Sequence, residues 1–191
     1  YTIAQKPLYM GQSQPPLMMM VMSRDERLFT KAYSDYTDLD EDGQIDTTYK
    51  DTFSYAGYFD SKLCYGYSNG RFEASRQVED GAGHRCKQGN VWSGNFLNWA
   101  TMSRLDVLRY VLYGGLRSTD TVDDTVLERA HIPNDLHAWV KVYSGHDVKD
   151  FVPSNMVKGN TNTISICNAS FGVNGAPEMR VASGNWSEWA A

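Results

Sequence analysis

The chain has 191 residues, 41% of them hydrophobic, which predicts one domain with a substantial core. Its 18 basic and 23 acidic residues give a net charge of −5, and no basic run is present that could neutralise a phosphate backbone, so nucleic acid is not expected as a partner. The longest apolar run, residues 17–22, is too short to cross a bilayer, and no signal-peptide pattern opens the chain, which predicts a soluble protein that does not span a membrane.

The first apolar segment, residues 16–22, predicts a short strand buried on both faces, as strands of parallel sheets are. Residues 23–33 then predict a short helix with Leu28, Phe29 and Ala32 facing inward.

An acidic loop follows at residues 38–46, and it has the spacing of a calcium-binding loop. Gly43 stands where such a loop turns sharply, but position 12 is Tyr49, which cannot supply the usual closing carboxylate. Asp51 and Asp35 are the nearest candidates to close the shell. The predicted ligands, at alternate positions, are Asp38, Asp40, Asp42, Gln44 through its carbonyl, and Asp46.

The alternative is a solvated acidic turn, because Asp and Gly are common in loops for purely local reasons. Residues 32–46 contain six acidic residues and no Lys or Arg, so their repulsion would oppose folding unless a cation relieved it. Calcium, Ca²⁺, is therefore the predicted cofactor.

Residues 49–72 are rich in Tyr and Phe, which predicts either a small satellite core around the acidic loop or an exposed carbohydrate- or receptor-binding platform; the core is favoured. Residues 77–90 predict an exposed, mobile loop. Cys64 and Cys86 flank a loop rich in Gly, Ser and charged residues and are predicted to form a disulfide if the protein is exported. Cys167 is then either a buried thiol or the partner of a cysteine beyond this sequence.

Residues 95–113 predict the clearest helix, because Leu97, Thr101, Leu105, Leu108 and Leu112 fall on one face. Ser93 or Asn95 caps its start, residues 114–115 are two glycines that end it, and Arg104, Asp106 and Arg109 mark its solvent side. Residues 119–128 predict a second helix or a strand, and residues 139–143 and 163–167 alternate as strands do.

Catalytic patterns are missing from the sequence. The four histidines do not have metal-ligand spacing, Ser93 lacks the Gly-x-Ser-x-Gly frame of a hydrolase, and no glycine-rich phosphate loop precedes a helix. We therefore expect a protein that is not an enzyme.

Residues 92–109 read WSGNFLNWATMSRLDVLR and are followed by LYGG at 112–115. Together with GYFDS at 57–61, RSTDT at 117–121 and LERA at 127–130, these words closely resemble the amino-terminal region of the PilY/PilC family of bacterial proteins associated with the tips of type IV pili. The resemblance covers nearly the whole chain.

The resemblance implies an exported, extracellular protein of the pilus tip, its signal peptide already removed, that acts in adhesion or pilus assembly. It implies an α/β, von Willebrand factor A-like (Rossmann-type) domain over residues 1–191, complete or partial, with the calcium-binding, disulfide-linked segment 31–91 as a large insertion. The family's carboxy-terminal propeller is not in this sequence. Residues 22–26 read MSRDE where an A domain usually has its Asp-x-Ser-x-Ser metal motif, so an integrin-like metal site is not expected. Implied partners are minor pilins or the tip complex, or a host-cell or surface receptor; the alternative role is a structural, self-associating or docking subunit of a surface filament.

Overall fold

The computed structural model describes residues 18, 19, 21, 23, 25–79, 83–87, 89–135, 137–172 and 175–190. Two helices, eight short strands and four turns of 3₁₀-helix lie in this part of the chain. The strands are β1 Leu63–Ser68, β2 Arg71–Gln77, β3 Trp92–Ser93, β4 Arg117–Asp120, β5 Thr125–Leu127, β6 Trp139–Ser144, β7 Thr163–Asn168 and β8 Met179–Ser183; the helices are α1 Gly94–Thr101 and α2 Arg104–Tyr113; the 3₁₀ turns are Glu26–Phe29, Val148–Asp150, Ser154–Met156 and Ser187–Ala190.

The strands form three small antiparallel sheets with the orders β2-β1-β3, β4-β5 and β6-β7-β8. The one parallel pairing among the described residues is an isolated bridge between Pro133 and Ser170. A von Willebrand A-like fold requires a central parallel sheet with crossover helices. This part of the chain is instead a small α/β fold of antiparallel sheets, so the predicted Rossmann-type architecture is not what these residues form.

The segment predicted to be the first buried strand does not form one where it is described. Met18, Met19 and Val21 are more than four-fifths exposed and belong to no strand, while the rest of residues 16–22 lies outside the described residues. The helix predicted at residues 23–33 is reduced to the 3₁₀ turn Glu26–Phe29, capped by the Asp25 side chain. A continuous apolar run indicates burial only when a partner surface is present.

The long helix predicted at residues 95–113 is two helices separated at Met102 and Ser103. Met102 is extended, and its carbonyl accepts the N–H of Ala32 at 2.9 Å, so a neighbouring segment occupies the break. Ser103 caps α2, accepting the N–H of Asp106 at 3.1 Å, and the Asp106 carboxylate in return accepts the Ser103 N–H at 3.2 Å and hydroxyl at 2.6 Å. Asp106, predicted to face solvent, is fully buried.

Helix α1 is the centre of the core, because every one of its eight residues is buried. Ser93 caps it, as predicted, and Gly114 ends α2 in the left-handed conformation with φ +82°. Asn95 and Asn98 face the irregular segment 53–59 and bond to its main chain at 2.7 to 3.0 Å. A segment without regular structure thereby has its buried polar groups satisfied by two amides from one helix.

Six of the eight aromatic residues of the segment 49–72 join the main core or pack against it, in place of the predicted satellite core around the loop, while Tyr67 is 61% exposed. Tyr49 is 4% exposed and its ring lies 5.1 Å from Phe96 and 4.9 Å from Phe151, centroid to centroid. Edge-to-face contacts of this kind stabilise beyond the area they bury. The segment 31–91 therefore contributes to the same core as α1 and the β6-β7-β8 sheet.

The predicted disulfide between Cys64 and Cys86 is present, with the two Cα atoms 5.9 Å apart. The disulfide joins β1 to the segment 77–90, which was predicted to be an exposed, mobile loop. Part of this segment is fixed to the rest of the fold, because the Cys86 N–H donates to the Asp150 carbonyl at 2.7 Å. Arg85 beside it pairs with Asp51 at 2.7 Å. Cys167 is a buried free thiol in β7.

We predict that replacing both Cys64 and Cys86 by Ser lowers the free energy of unfolding by about 3 kcal/mol, because the bond closes a loop between residues 22 apart in sequence. Chemical denaturation of the oxidised protein measures this. A reductant should bring the wild type to the stability of the double variant and leave the variant unchanged; equal stability of the oxidised wild type and the variant would contradict the prediction.

We also predict that Asp106→Ala costs about 2 to 4 kcal/mol of stability, since the change removes the α2 cap and leaves the buried Ala130 N–H, which donates to Asp106 at 2.7 Å, without its acceptor. Asp123→Ala, at an exposed position between β4 and β5, is the matched control and should change stability by less than about 0.5 kcal/mol. Similar urea midpoints for the two variants would show that the buried cap is dispensable.

Candidate metal site

Three exposed carboxylates meet in the acidic loop. Asp38, Asp40 and Asp42 each place an oxygen such that the three atoms lie within 4.8 Å of one another. Glu41 and Gly43 both have left-handed backbone conformations, with φ +60° and +84°, so the chain turns sharply within and just after this group of side chains. The predicted convergence of these three residues is therefore present in the fold.

Hydrogen bonds from the loop's own backbone hold these side chains. Asp38 accepts the N–H groups of Asp42 at 3.1 Å and Gly43 at 2.8 Å, and Asp42 accepts the Gln44 N–H at 2.8 Å. These bonds hold two of the three carboxylates, those of Asp38 and Asp42, against the backbone of the turn. Gln44 is exposed and its side chain is not needed, since only its carbonyl was predicted as a ligand.

Asp46 is the buried member of the predicted set, with only 2% of its surface exposed. Its Oδ2 atom accepts the Leu39 N–H at 2.7 Å. Its Oδ1 atom is buried without a well-directed hydrogen bond, although the ammonium of Lys50 lies against it. The contact with Lys50 lowers the pKa of Asp46, so this residue brings a full negative charge to the floor of the loop.

Lys50 places a positive charge in the carboxylate cluster. Its Nζ atom lies 2.8 Å from Asp40 Oδ2 and 3.4 Å from Asp42 Oδ2, in addition to its contact with Asp46. The carboxylates, Asp40 first, raise the pKa of Lys50. Sequence reasoning missed this residue because it lies one position beyond the twelve-residue loop; its i,i+4 relation to Asp46 was the available signal.

The two carboxylates proposed to close the shell are engaged elsewhere. Asp35 holds the Lys141 ammonium at 2.6 and 2.7 Å and accepts the Trp99 Nε1–H at 3.0 Å. Asp51 pairs with Arg85. Neither belongs to the cluster formed by Asp38, Asp40 and Asp42, and Tyr49 at position 12 is in the core.

The Lys141 ion pair is itself buried, with Lys141 only 1% exposed. Burial lowers the pKa of Lys141 to about 8, and the Asp35 carboxylate works against that shift. The ammonium also lies 4.3 Å from the centroid of the Trp99 ring. Asp35 therefore anchors the start of the loop to β6 and α1, a structural task distinct from metal binding.

The residues present suit a hard divalent cation. Calcium takes six to eight oxygen ligands, and carboxylates, carbonyls and water are its usual donors. Asp38, Asp40, Asp42 and the Gln44 carbonyl would hold it, and water would complete the shell. Asp46, predicted as a further ligand, does not join the group of three, and its Oδ1 atom lies against the Lys50 ammonium. None of the helices in the described residues has the length and apolar character that crossing a bilayer requires.

Comparison with known proteins identifies the family. A family model described as "PilY1 homolog, small alpha/beta domain" matches residues 46–190. The chain is 39% identical over 170 residues to a type IV pilus biogenesis factor PilY1 homolog of Xylella fastidiosa (strain Temecula1 / ATCC 700964), covering 85% of this chain and 11% of that protein. A second protein of the same name and organism is 34% identical over 135 residues, covering 67% of this chain and 10% of its own length. No solved structure matches the chain.

The chain thus spans about a tenth of the length of these relatives. The matched residues include both helices, all three sheets and the disulfide, so the small α/β fold and the family description agree. The resemblance to PilY-type proteins predicted from the sequence is confirmed, and the chain belongs to the PilY1 homolog family.

Proposed function

We propose that this chain is a calcium-binding module of a longer type IV pilus biogenesis factor, with a role in binding or assembly and not in catalysis. The relatives named as pilus biogenesis factors support the pilus role. The observation that carries the calcium role is the convergence of the Asp38, Asp40 and Asp42 carboxylates in one exposed loop.

Calcium would act here on stability. An ion that binds the folded loop but not the unfolded chain adds free energy of folding by mass action. The loop is tied to the core on both sides, by Asp35 through Lys141 and by Tyr49 through the ring cluster, so ordering the loop would also stabilise the core. Together with the Cys64–Cys86 disulfide, this suits a module that works outside the cell.

The finer placement is also a proposal. We place the module at the pilus tip, where its partners would be minor pilins or the tip complex, or a receptor on a host cell or another surface. The disulfide and the exposed carboxylate site favour an extracellular location, since extracellular calcium suits loops of modest affinity.

The calcium proposal predicts that saturating calcium raises the melting temperature by roughly 5 to 10 °C at a concentration 100-fold above the Kd. Asp40→Ala and Asp42→Ala should abolish the rise, because each removes a ligand. Scanning calorimetry in calcium and in chelator measures the shift, with Asp123→Ala as a carboxylate control that keeps it. Superimposable wild-type melts in the two buffers would contradict the proposal.

A second candidate is a structural subunit that associates with copies of itself. It is favoured by the end of α2, where four consecutive large residues are exposed by 39 to 71% of their surface: Tyr110, Val111, Leu112 and Tyr113. A run of apolar side chains on one helix end is typical of a surface that is covered in an assembly.

If this surface mediates self-association, the mass measured by light scattering should increase with protein concentration, and Val111→Asp should return the protein to a monomer without changing its melting temperature. Val122→Asp, at an even more exposed apolar position in the β4–β5 turn, is the control. A wild type that is monomeric at all concentrations would contradict self-association and leave the calcium-binding module as the proposed function.

A further inference from the structure

We infer that Lys50 is the built-in counter-cation of the acidic loop: its ammonium occupies the carboxylate cluster while the loop holds no metal, and calcium must displace it to bind. This inference concerns regulation of the proposed calcium site and rests on that proposal. It is carried by the three carboxylates that Lys50 contacts, Asp40, Asp42 and Asp46.

The charge of the loop requires a cation. Asp35, the first acidic residue of the segment, is neutralised by Lys141 and Lys31 and does not contribute to the cluster. Residues 38–46 themselves carry five acidic side chains and no basic one. Lys50 is the basic side chain seen in ionic contact with them in the described part of the chain, so it relieves a repulsion that would otherwise oppose loop closure.

Calcium and the ammonium compete for the same two carboxylates. Asp40 and Asp42 belong to both the metal cluster and the Lys50 contacts. Two cations a few ångströms apart repel strongly, and calcium demands six to eight oxygens around it, which leaves no room for an N–H donor in the shell.

Lys50 is able to leave without disturbing the fold. Its side chain is 32% exposed, and the lysine stem is flexible, so rotation takes the ammonium into water. Its backbone N–H donates to the Tyr55 hydroxyl at 3.0 Å, and this bond keeps the main chain in place during the exchange. In this exchange the single positive charge of the Lys50 ammonium is replaced by the double charge of calcium.

The test is Lys50→Met, which keeps the apolar stem and removes the charge, beside Lys50→Arg, which keeps the charge, and Lys158→Met, an exposed control far along the chain. Titration calorimetry should give a calcium Kd at least about tenfold tighter for Lys50→Met than for the wild type, with Lys50→Arg and Lys158→Met close to the wild type. In chelator, Lys50→Met should melt at a lower temperature than the wild type, and calcium should close that gap.

The outcomes separate the inference from the proposed function. Equal calcium affinities for the wild type and Lys50→Met would overturn the displacement and leave calcium binding intact. Absence of calcium binding in both proteins would overturn the calcium proposal and the displacement with it. Should Lys50→Met fail to fold in chelator, refolding on calcium addition supports the inference.

A measurement on the wild type needs no variant. Nitrogen NMR of the lysine ammonium groups should show the Lys50 signal slowed in hydrogen exchange in chelator and in fast exchange with water after calcium is added. A Lys50 ammonium that stays protected in saturating calcium would contradict the displacement.

Discussion

The crowding of negative charge in the segment 35–46 is the constraint on which this part of the fold depends. Six carboxylates lie within twelve residues, and each needs a positive charge, a hydrogen-bond donor or water. Lysines from outside the segment meet the need in two ways: Lys141, with Lys31 beside it, pairs with Asp35 in the core, and Lys50 reaches back to the loop from the surface. Only the second arrangement can be exchanged for a metal ion, because only the second is open to solvent.

This division explains how an exposed loop is coupled to a buried core. Asp35, at one end of the acidic segment, contacts the Trp99 ring nitrogen and the Lys141 ammonium. Tyr49, just past the other end, packs among Phe96, Phe151 and their neighbours. The loop is held at both ends by rigid structure, so an ion that orders its middle acts on a segment whose ends are already fixed, and the entropic cost of binding is reduced.

Features fixed by local chemistry could be predicted from the sequence. The alternating Asp residues and Gly43 predict the carboxylate cluster, and Ser93 predicts the cap of α1. The alternation of apolar and polar residues predicts β6 and β7. Features decided by distant contacts could not. The break between the two helices at Met102 depends on hydrogen bonds to residues 30–32. Asp106 is buried because its carboxylate accepts hydrogen bonds from Ser103 and from the Ala130 N–H. The packing of the aromatic segment on α1 depends on hydrogen bonds from Asn95 and Asn98 to its main chain. Sequence periodicity does not reveal such bonds, so the segment was predicted to form a separate satellite core.

The measurement that tests the account most directly is the structure of this chain crystallised with and without calcium, with the ion located by its anomalous scattering. The account predicts an ion among Asp38, Asp40 and Asp42 at oxygen distances of about 2.3 to 2.6 Å, with the Lys50 ammonium turned out into solvent, and the ammonium back in the cluster when the ion is removed. A loop without an ion in calcium-saturated crystals, with Lys50 still bound to Asp40 and Asp42, would contradict it.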